Sequence, residues 1–271
     1  MDISNFQQLN IYNANCRIFY WYRAGDNKDK YVILLHGAGC DHIMFEKNIG
    51  IFDSSYNIII WDARGHGLSK MDKSLQFVFK DMFDDCLKLF EIHKIKQAVI
   101  IGQSMGGNLA QEIAYHHPEK VNKLVLIDCT INTNKLTKTE KIAMKMSRFI
   151  FNCYPWKLLI SQSANACGNT EYVKKYVKQC FERIKKKQFV EIMMSLFDCL
   201  HEDEEYRFKL PVLLICGVDD KSGNIKKTME AHSKIDSNCT LFIVKNAGHN
   251  SNQDNPNDVN NIMLGYLENK L

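Results

Sequence analysis

The chain has 271 residues, of which 45% are hydrophobic and 24% are charged, and its formal net charge is +4. These values are those of a soluble globular protein, and the length is near the upper limit for a single domain. No apolar run reaches the 18 or more residues that a membrane-spanning helix needs, and residues 1–8 lack the basic and apolar regions of a signal peptide. Secretion and stable membrane insertion are therefore not expected.

The ten cysteines are well separated, with no two within twelve residues of each other. This spacing excludes a C-x-x-C motif for redox chemistry or zinc binding. Several cysteines, among them Cys129 and Cys216, lie in apolar runs and are typical of small buried hydrophobic residues. We expect a cytoplasmic protein with free thiols.

Short apolar runs alternate with helical patterns along the chain. The apolar segment 18–22, with the turn-forming Gly25-Asp26-Asn27, predicts an antiparallel hairpin. Buried strands are predicted at residues 31–35, 57–61, 98–101, 123–127, 212–216 and 240–244. Helices are predicted at residues 77–93, 105–116, 225–235 and 257–269. This alternation predicts an α/β fold with a mostly parallel central sheet flanked by helices.

The alternation is interrupted between residues 130 and 209, which are rich in helical patterns and poor in strands. We predict a core domain of residues 1–129 and 210–271, with a helical cap, or lid, inserted as residues 130–209 after the sixth strand. In open α/β sheets, ligands bind at the carboxyl ends of the strands, where such an insertion would lie. Most of the aromatic side chains in the insertion are expected to pack in its own core. Several are also candidates for the roof of an apolar pocket. They are Phe149, Phe151, Tyr154, Trp156, Phe181, Phe189 and Phe197.

The insertion also carries the basic excess of the chain. It holds 15 Lys and Arg against 9 Asp and Glu, a net of +6, whereas the remainder holds 20 and 22. Such an excess is able to attract anionic substrates, a membrane surface or nucleic acid. Because acidic residues are interleaved, a solvated helical face is the preferred interpretation, and no nucleic-acid partner is expected.

The segment Gly102-Gln103-Ser104-Met105-Gly106 fits G-x-S-x-G, a tight turn that exposes a serine hydroxyl between a strand and a helix. The apolar run before it and the helical pattern after it are the context that this motif requires. The turn leaves no room for side chains two residues on either side of Ser104, which explains both glycines. The alternative is an ordinary glycine-rich turn whose serine only caps the helix.

A nucleophilic serine needs a base, an acid that orients the base, and donors for the oxyanion. His249 follows one predicted strand, and Asp219 and Asp220 follow another. The loop His36-Gly37-Ala38-Gly39 comes directly after the first parallel strand and matches the H-G-x-G oxyanion loop. We assign the two oxyanion donors to the backbone N–H groups of Ala38 and Met105.

With Ser104, Asp220 and His249 in this order, the chain resembles the α/β-hydrolase superfamily, as a serine hydrolase with an inserted cap. The resemblance covers nearly the whole chain and includes residues 62–69, which match D-x-R-G-x-G-x-S. It implies a catalytic triad of Ser104, Asp220 and His249, in which the G-x-x-D spacing favours Asp220, and a structural turn at residues 62–69. Two departures are the lack of the usual proline after Asp220 and the polar residues that follow His249.

The resemblance implies hydrolysis of a carboxylic ester with a small or medium acyl chain, and hence a small-molecule acyl substrate as partner. Carbon–carbon bond hydrolases and a lyase-type synthase of the menaquinone pathway share the triad and are rivals, with perhydrolase activity a weaker one. Serine at the elbow argues against the dehalogenase and epoxide-hydrolase branches, which use aspartate there. A non-catalytic small-molecule receptor is the alternative from another class. The oligomeric state is not predicted.

Other residues stay open as alternatives. Asp219 is a second candidate for the acid, because loop registers slip by a residue, and Asp128 occupies an acid position known in some relatives. His36 is interpreted as loop-stabilising. His42 is interpreted as a surface residue, with a position lining the pocket as the alternative. The nine histidines form no H-E-x-x-H or other metal-ligand spacing, so we expect no metal and no cofactor.

Overall fold

The computed structural model describes residues 3–270 and contains an eight-stranded sheet. Residues 1, 2 and 271, at the ends of the predicted core domain, lie outside the described residues. The strands are β1 (Gln7–Asn13), β2 (Cys16–Arg23), β3 (Tyr31–Leu35), β4 (Asn57–Trp61), β5 (Ala98–Gln103), β6 (Val121–Ile127), β7 (Val212–Gly217) and β8 (Cys239–Val244). Their order across the sheet is β1-β2-β4-β3-β5-β6-β7-β8.

The sheet is parallel except at one edge. β1 pairs with β2, and β2 with β4, in antiparallel register, whereas all other neighbouring strands are parallel. Every residue of β4, β5 and β7 is buried, as expected of strands covered by helices on both faces. The helices are α1 (Phe79–Ile92), α2 (Met105–His116), α3 (Lys138–Cys153), α4 (Trp156–Cys167), α5 (Glu171–Glu182), α6 (Lys186–Ser195), α7 (Ile225–Ile235), α8 (Ser251–Asp254) and α9 (Pro256–Leu267). The predicted fold class is confirmed.

Alternate residues of each central strand belong to two hydrophobic cores, one on each face of the sheet. In β3, Ile33 and Leu35 contribute to the core that includes residues of α1, α2 and α7. Val32 and Leu34 contribute to the core that includes residues of α9, α4 and α5. The same alternation explains why the sequence pattern predicted these elements well. Each strand and helix predicted after the hairpin begins and ends within two residues of the observed bounds.

The amino-terminal hairpin is present, but its turn is not at Gly25-Asp26-Asn27. β1 and β2 are joined by Ala14 and Asn15, both left-handed with φ of 41° and 58°. Positive φ at both central residues is the geometry of a two-residue hairpin turn. Gly25 instead lies beside the backbone of Tyr56, where an added Cβ would be 2.4 Å from the carbonyl carbon. The prediction was wrong because the actual turn contains no glycine.

Four helices, α3 to α6, and a short 3₁₀ turn at Leu196–Cys199 lie between β6 and β7. Helix α5 packs on the loop that follows β3: the Tyr176 hydroxyl donates to the Asp41 carboxylate at 3.0 Å, and Arg183 donates to it at 3.1 Å. An added Cβ at Gly39 in this loop would lie 2.3 Å from the ring of Phe181. The inserted helices therefore cover a loop at the carboxyl end of a central strand. That they act as a separate cap domain stays a prediction.

Two expectations from composition concern cysteines and membrane spans. All ten cysteines, which lie within residues 3–270, are free thiols, and Cys129 and Cys216 are buried as predicted. None of the helices described between residues 3 and 270 combines the length and apolar composition needed to cross a bilayer.

The turn at residues 62–69 is held by buried charges. Both oxygens of the Asp62 carboxylate accept backbone hydrogen bonds, from His42 at 2.8 Å and Leu68 at 2.6 Å. Arg64 is buried and makes a two-pronged ion pair with buried Asp85 of α1, with both N···O distances at 2.7 Å. Asp62 thus has a structural role, and the turn is fastened to α1.

We predict that Asp85→Leu lowers the free energy of unfolding by about 3–5 kcal/mol, because it leaves the buried Arg64 guanidinium short of its main partner. The double substitution Arg64→Met with Asp85→Leu should recover most of this loss. Asp84→Leu is the matched control, since Asp84 on the same helix pairs with Lys80 at the surface, and such a pair contributes under about 1 kcal/mol. Urea unfolding measures all three, and equal values for Asp85→Leu and Asp84→Leu would contradict the assignment.

Candidate active site

Ser104 lies in a tight turn between β5 and α2. Its backbone has φ of 50° and ψ of −118°, a strained conformation of the kind found at functional sites. The two glycines make the turn possible: an added Cβ at Gly102 would lie 2.2 Å from the carbonyl oxygen of Gly106. An added Cβ at Gly106 would lie 2.0 Å from the carbonyl oxygen of Leu35. The elbow is therefore pressed against the end of β3.

The Ser104 hydroxyl faces a histidine. Its Oγ lies 3.0 Å from Nε2 of His249, which follows β8. Among the described residues the side chain makes no capping hydrogen bond to α2, so the alternative of a merely helix-capping serine is wrong. The geometry is that of a hydroxyl paired with a base.

The other ring nitrogen of His249 faces Asp220, in the loop after β7. Nδ1 lies 3.0 Å from Oδ2 of Asp220, and the other Asp220 oxygen accepts the backbone N–H of Ser222 at 2.8 Å. Because a carboxylate only accepts, Nδ1 carries the proton and Nε2 is free to accept from Ser104. The structure thus brings all three predicted triad residues into one hydrogen-bonded chain.

The two alternative acids have other partners. Asp219 accepts a hydrogen bond from the side-chain amide of Asn169 at 2.7 Å. Asp128, at the end of β6, accepts the backbone N–H of Gly217 at 2.7 Å and that of Ser251 at 2.8 Å. Asp128 therefore connects the loop of Asp220 to the loop of His249 by hydrogen bonds and makes none to the imidazole.

The protonation states follow from burial and charge. Burial alone would lower the pKa of His249, but the hydrogen bond and charge of Asp220, with the charge of Asp128, raise the pKa above its ordinary value. Burial raises the pKa of Asp220, yet the hydrogen bond and charge of His249 outweigh it, so the pKa of Asp220 is lowered. Burial raises the pKa of Asp128 to about 7. The Asp220–His249 pair thus stabilises the imidazolium that forms when His249 takes up a proton.

The predicted oxyanion donors lie in the two segments that meet at Ser104. An added Cβ at Gly37 would lie 3.3 Å from the Ser104 Cβ, which places the Ala38 loop beside the nucleophile. His36 holds this loop: Nε2 accepts the N–H of Ala63 at 3.0 Å, and Nδ1 lies 2.8 Å from the carbonyl oxygen of Gly37. Burial lowers the pKa of His36, which keeps the ring neutral for this pattern. The oxyanion role of the Ala38 and Met105 amides stays a prediction.

Sequence reasoning missed Asp254. One of its carboxylate oxygens accepts the N–H groups of Gly248 and Asn169, both at 2.8 Å. The other accepts the N–H and hydroxyl of Thr170, at 2.9 and 2.8 Å. Asp254 therefore joins the His249 loop to the start of α5. No motif marks it, and its partners Asn169 and Thr170 lie 85 and 84 residues away in the chain.

His42 is not a surface residue, and the interpretation as one was wrong. Its ring lies 3.4 Å from the ring of Trp21 in a stacked arrangement, and its Nδ1 lies 2.8 Å from Oδ1 of Asp62. Both contacts come from distant segments, so the sequence neighbourhood of His42 could not show them. The residue fixes the loop that follows the oxyanion segment.

The polar residues after His249, which depart from the common pattern, are buried in α8. The side-chain amide of Asn252 donates to the carbonyl oxygen of Met44 at 3.1 Å and to the amide oxygen of Asn48 at 3.0 Å. The side-chain N–H groups of Asn252 thus have partners in the loop after β3, and the side-chain amide of Asn250 donates to Gln253 at 3.0 Å, which accounts for polar residues at these two positions.

Three groups of side chains bring possible metal-ligating atoms within 4.8 Å of one another in the described residues. Two lie away from Ser104: Glu112 with His116 and His201, and His232 with Asp236 and Cys239. The third, Asp128 with Cys216 and Asp220, adjoins the His249 pair. In the first group, Glu112 already accepts from His201 at 2.7 Å and from Asn132 at 2.8 Å. The first and third groups join separate segments, which spacing along the chain does not reveal, whereas His232, Asp236 and Cys239 are close together in the chain.

Comparison with known proteins now places the chain in a family. The family model described as serine aminopeptidase, S33 (Hydrolase_4), matches residues 26–255. The chain belongs to this family. It is a hydrolase of the α/β-hydrolase superfamily, so the resemblance drawn from its motifs is confirmed.

Individual relatives are distant. Epoxide hydrolase 4 of Homo sapiens is 22% identical over 278 residues, which cover 92% of this chain and 75% of that protein. A hydrolase from Pseudomonas aeruginosa PA01 has a TM-score of 0.83 at 17% identity, covering 96% of this chain and 98% of that one. An esterase from Exiguobacterium antarcticum has a TM-score of 0.80 at 16% identity, covering 97% and 100%. At these identities the solved structures share the fold.

The Asp220–His249 pair predicts how hydrolysis depends on pH. His249 must be neutral to accept the serine proton, so turnover should be lost as the pH falls through its raised pKa. Asp220→Asn removes the charge that raises this pKa and reverses the hydrogen bond to Nδ1. We expect turnover of p-nitrophenyl acetate to fall about 10⁴-fold, with the remaining activity lost at a lower pH than in the wild type.

Asp219→Asn is the matched control for this experiment. It makes the same change in charge one residue away, on a side chain that contacts Asn169. We expect its turnover within a few-fold of the wild type and its acidic limb unshifted. The reverse result, in which Asp219→Asn has the large effect, would contradict the assignment of Asp220.

Proposed function

We propose that this hydrolase cleaves a carboxylic ester with a small or medium acyl chain, through an acyl-enzyme on Ser104. The observation that carries the proposal is the continuous chain of contacts from Ser104 Oγ to His249 Nε2 and from His249 Nδ1 to Asp220 Oδ2, each 3.0 Å long. In this proposal Ser104 is the nucleophile, His249 the general base and acid, and Asp220 the group that orients His249.

The proposed reaction has two halves. The Ser104 proton passes to Nε2 of His249 as Oγ attacks the ester carbonyl carbon, and the carbonyl oxygen becomes an oxyanion that the N–H groups of Ala38 and Met105 stabilise. The bond from carbon to the alcohol oxygen then breaks, and His249 returns its proton to the leaving alcohol. Water attacks the acyl-enzyme in the second half, gives its proton to His249, and releases the acid as Ser104 regains the proton.

Free N–H groups support the proposed oxyanion role. Neither the backbone N–H of Ala38 nor that of Met105 donates to a loop or turn carbonyl group within residues 3–270. Met105 is the first residue of α2, so the positive end of the helix dipole adds to its N–H. An oxygen bound there would accept from two N–H donors, which favours a negatively charged tetrahedral intermediate over the neutral substrate.

The elbow residue favours an ester over an epoxide, although one relative is named as an epoxide hydrolase. The epoxide-hydrolase branch of the superfamily uses an aspartate at the elbow, whereas this chain has Ser104. An activated hydroxyl attacks an acyl carbon with a leaving alcohol, and the esterase neighbour shares the fold over nearly its full length. The identity of the nucleophile, Ser104, therefore favours an ester as the substrate.

We further propose that residues 130–209 form a cap over the core of residues 1–129 and 210–271 and limit the acyl chain. The ring of Phe181 packs against Gly39 in the oxyanion loop. Phe181 also contacts Phe189, with ring centroids 5.0 Å apart, and Phe189 contacts Trp156 at 5.3 Å. In this proposal these packed aromatic rings limit the space beside the oxyanion loop, so that small or medium acyl groups are favoured over long ones.

Serine and histidine variants test the proposal. Ser104→Ala and His249→Ala should each lower turnover of p-nitrophenyl esters by about 10⁶-fold, because triad members act as a unit. Ser233→Ala, at a serine on α7 that bonds only within its helix, should match the wild type. Thermal unfolding should show all three variants folded.

A series of p-nitrophenyl esters of increasing acyl length completes the test. We expect kcat/KM to be highest for short and medium chains. Wild-type turnover in Ser104→Ala would overturn the assignment of Ser104 as the nucleophile. The absence of any turnover in folded wild-type protein would favour a small-molecule receptor instead.

A further inference from the structure

Helix α3 has a continuous apolar stripe on its outer surface. Ile142, Met146, Phe149 and Ile150 are 58%, 51%, 70% and 49% exposed. Their spacing of four, three and one residues places them within an arc of about 100°. No residue of α3 is fully buried. Exposed apolar side chains that share one face, unlike scattered ones, indicate a binding surface.

A basic edge runs along one side of this stripe. Lys138, Lys141, Lys145 and Arg148 are exposed and, at spacings of three, four and three residues, occupy a neighbouring arc of about 80°. Lys141 also pairs with Glu202 at 2.8 Å. The single acidic residue of α3, Glu140, is half-buried and bonds to Thr137 and Asn224. The exposed surface of α3 is therefore apolar and cationic.

The remaining side of α3 faces the protein. Its half-buried residues are Glu140, Met144, Ser147 and Phe151, which recur every three or four positions. The ring of Phe151 packs against Phe189, with centroids 6.3 Å apart. The capping box formed by Thr137 and Glu140 defines the start of the helix. Since the inner side is already in contact, the stripe and the basic edge must face outward.

We propose that α3 docks on the surface of an anionic lipid bilayer. The helix would lie in the plane of the interface, with the apolar stripe among the upper acyl segments and the basic edge on anionic headgroups. This binding is peripheral and differs from membrane insertion. It revises the preference for a merely solvated face drawn from composition, because Lys138, Lys145 and Arg148 make no ion pair among the described residues and only Lys141 has an acidic partner.

Charge favours a bilayer over a second copy of this chain. Two copies meeting at this face would bring two basic edges together and would desolvate them without an opposing charge. An anionic bilayer supplies opposite charge beside an apolar layer, which matches the two arcs of α3. The proposal does not rest on which ester Ser104 cleaves.

Vesicle sedimentation with the full chain tests this proposal. We expect the protein to pellet with vesicles of phosphatidylcholine and phosphatidylserine at about 3:1, less at high salt, and weakly with phosphatidylcholine alone. Phe149→Ser with Ile150→Ser should weaken binding at least about tenfold, since two exposed apolar anchors are lost. Lys145→Gln with Arg148→Gln should weaken it about tenfold or more.

Tyr12→Ser is the matched control, because Tyr12 is 68% exposed on β1 and lies outside α3. It should bind vesicles as the wild type does. All variants should hydrolyse a soluble ester at the wild-type rate, so that loss of docking is distinguishable from failure of the proposed catalysis. The proposal would be overturned if the wild-type protein stayed in the supernatant with both vesicle types. A finding that α3 instead forms a dimer contact, or binds an acidic protein, would then explain the exposed stripe.

Discussion

The approach of Gly106 to the carbonyl oxygen of Leu35 is the constraint on which the site depends. An added Cβ at Gly106 would lie 2.0 Å from that oxygen, so only glycine lets the first turn of α2 meet the end of β3. The same contact brings Gly37 beside Ser104. The nucleophile and the loop of the proposed oxyanion donors are therefore held together by backbone packing, which does not depend on side-chain rotamers.

Buried carboxylates extend this arrangement to the rest of the site. Asp128 bonds to the loops that carry Asp220 and His249, and Asp254 bonds the His249 loop to the start of α5. Hydrogen bonds to charged groups contribute about 1.5–3 kcal/mol each, more than neutral ones. Because each carboxylate joins two segments, the base, its acid and the inserted helices are connected as one unit. Such a connection keeps the 3.0 Å contacts of His249 in place.

The fold was largely predictable from the sequence. Strands that are buried on both faces need apolar residues at successive positions, and these appear in the sequence as unbroken apolar runs. The hairpin turn was not predictable, since Ala14 and Asn15 carry no glycine signal. Ser104 and His249 were predictable as candidates because their local turns leave motifs. The choice of Asp220 over Asp219 depends on which carboxylate faces the imidazole of His249. For two adjacent residues in a loop, only tertiary packing decides which side chain does so. The role of Asp254 and the half-buried position of His42 depend on distant partners, so no local pattern could predict them.

The arrangement around Ser104 combines a half-buried serine in a strained backbone conformation with a base whose raised pKa follows from Asp220. These are the conditions under which a serine becomes nucleophilic, and an ordinary serine does not meet them. The most direct measurement is therefore labelling of the folded wild-type protein with a fluorophosphonate, followed by peptide mapping of the adduct. The account predicts stoichiometric modification at Ser104 that His249→Ala prevents. Folded wild-type protein that remains unlabelled, or a label mapped to another residue, would contradict it.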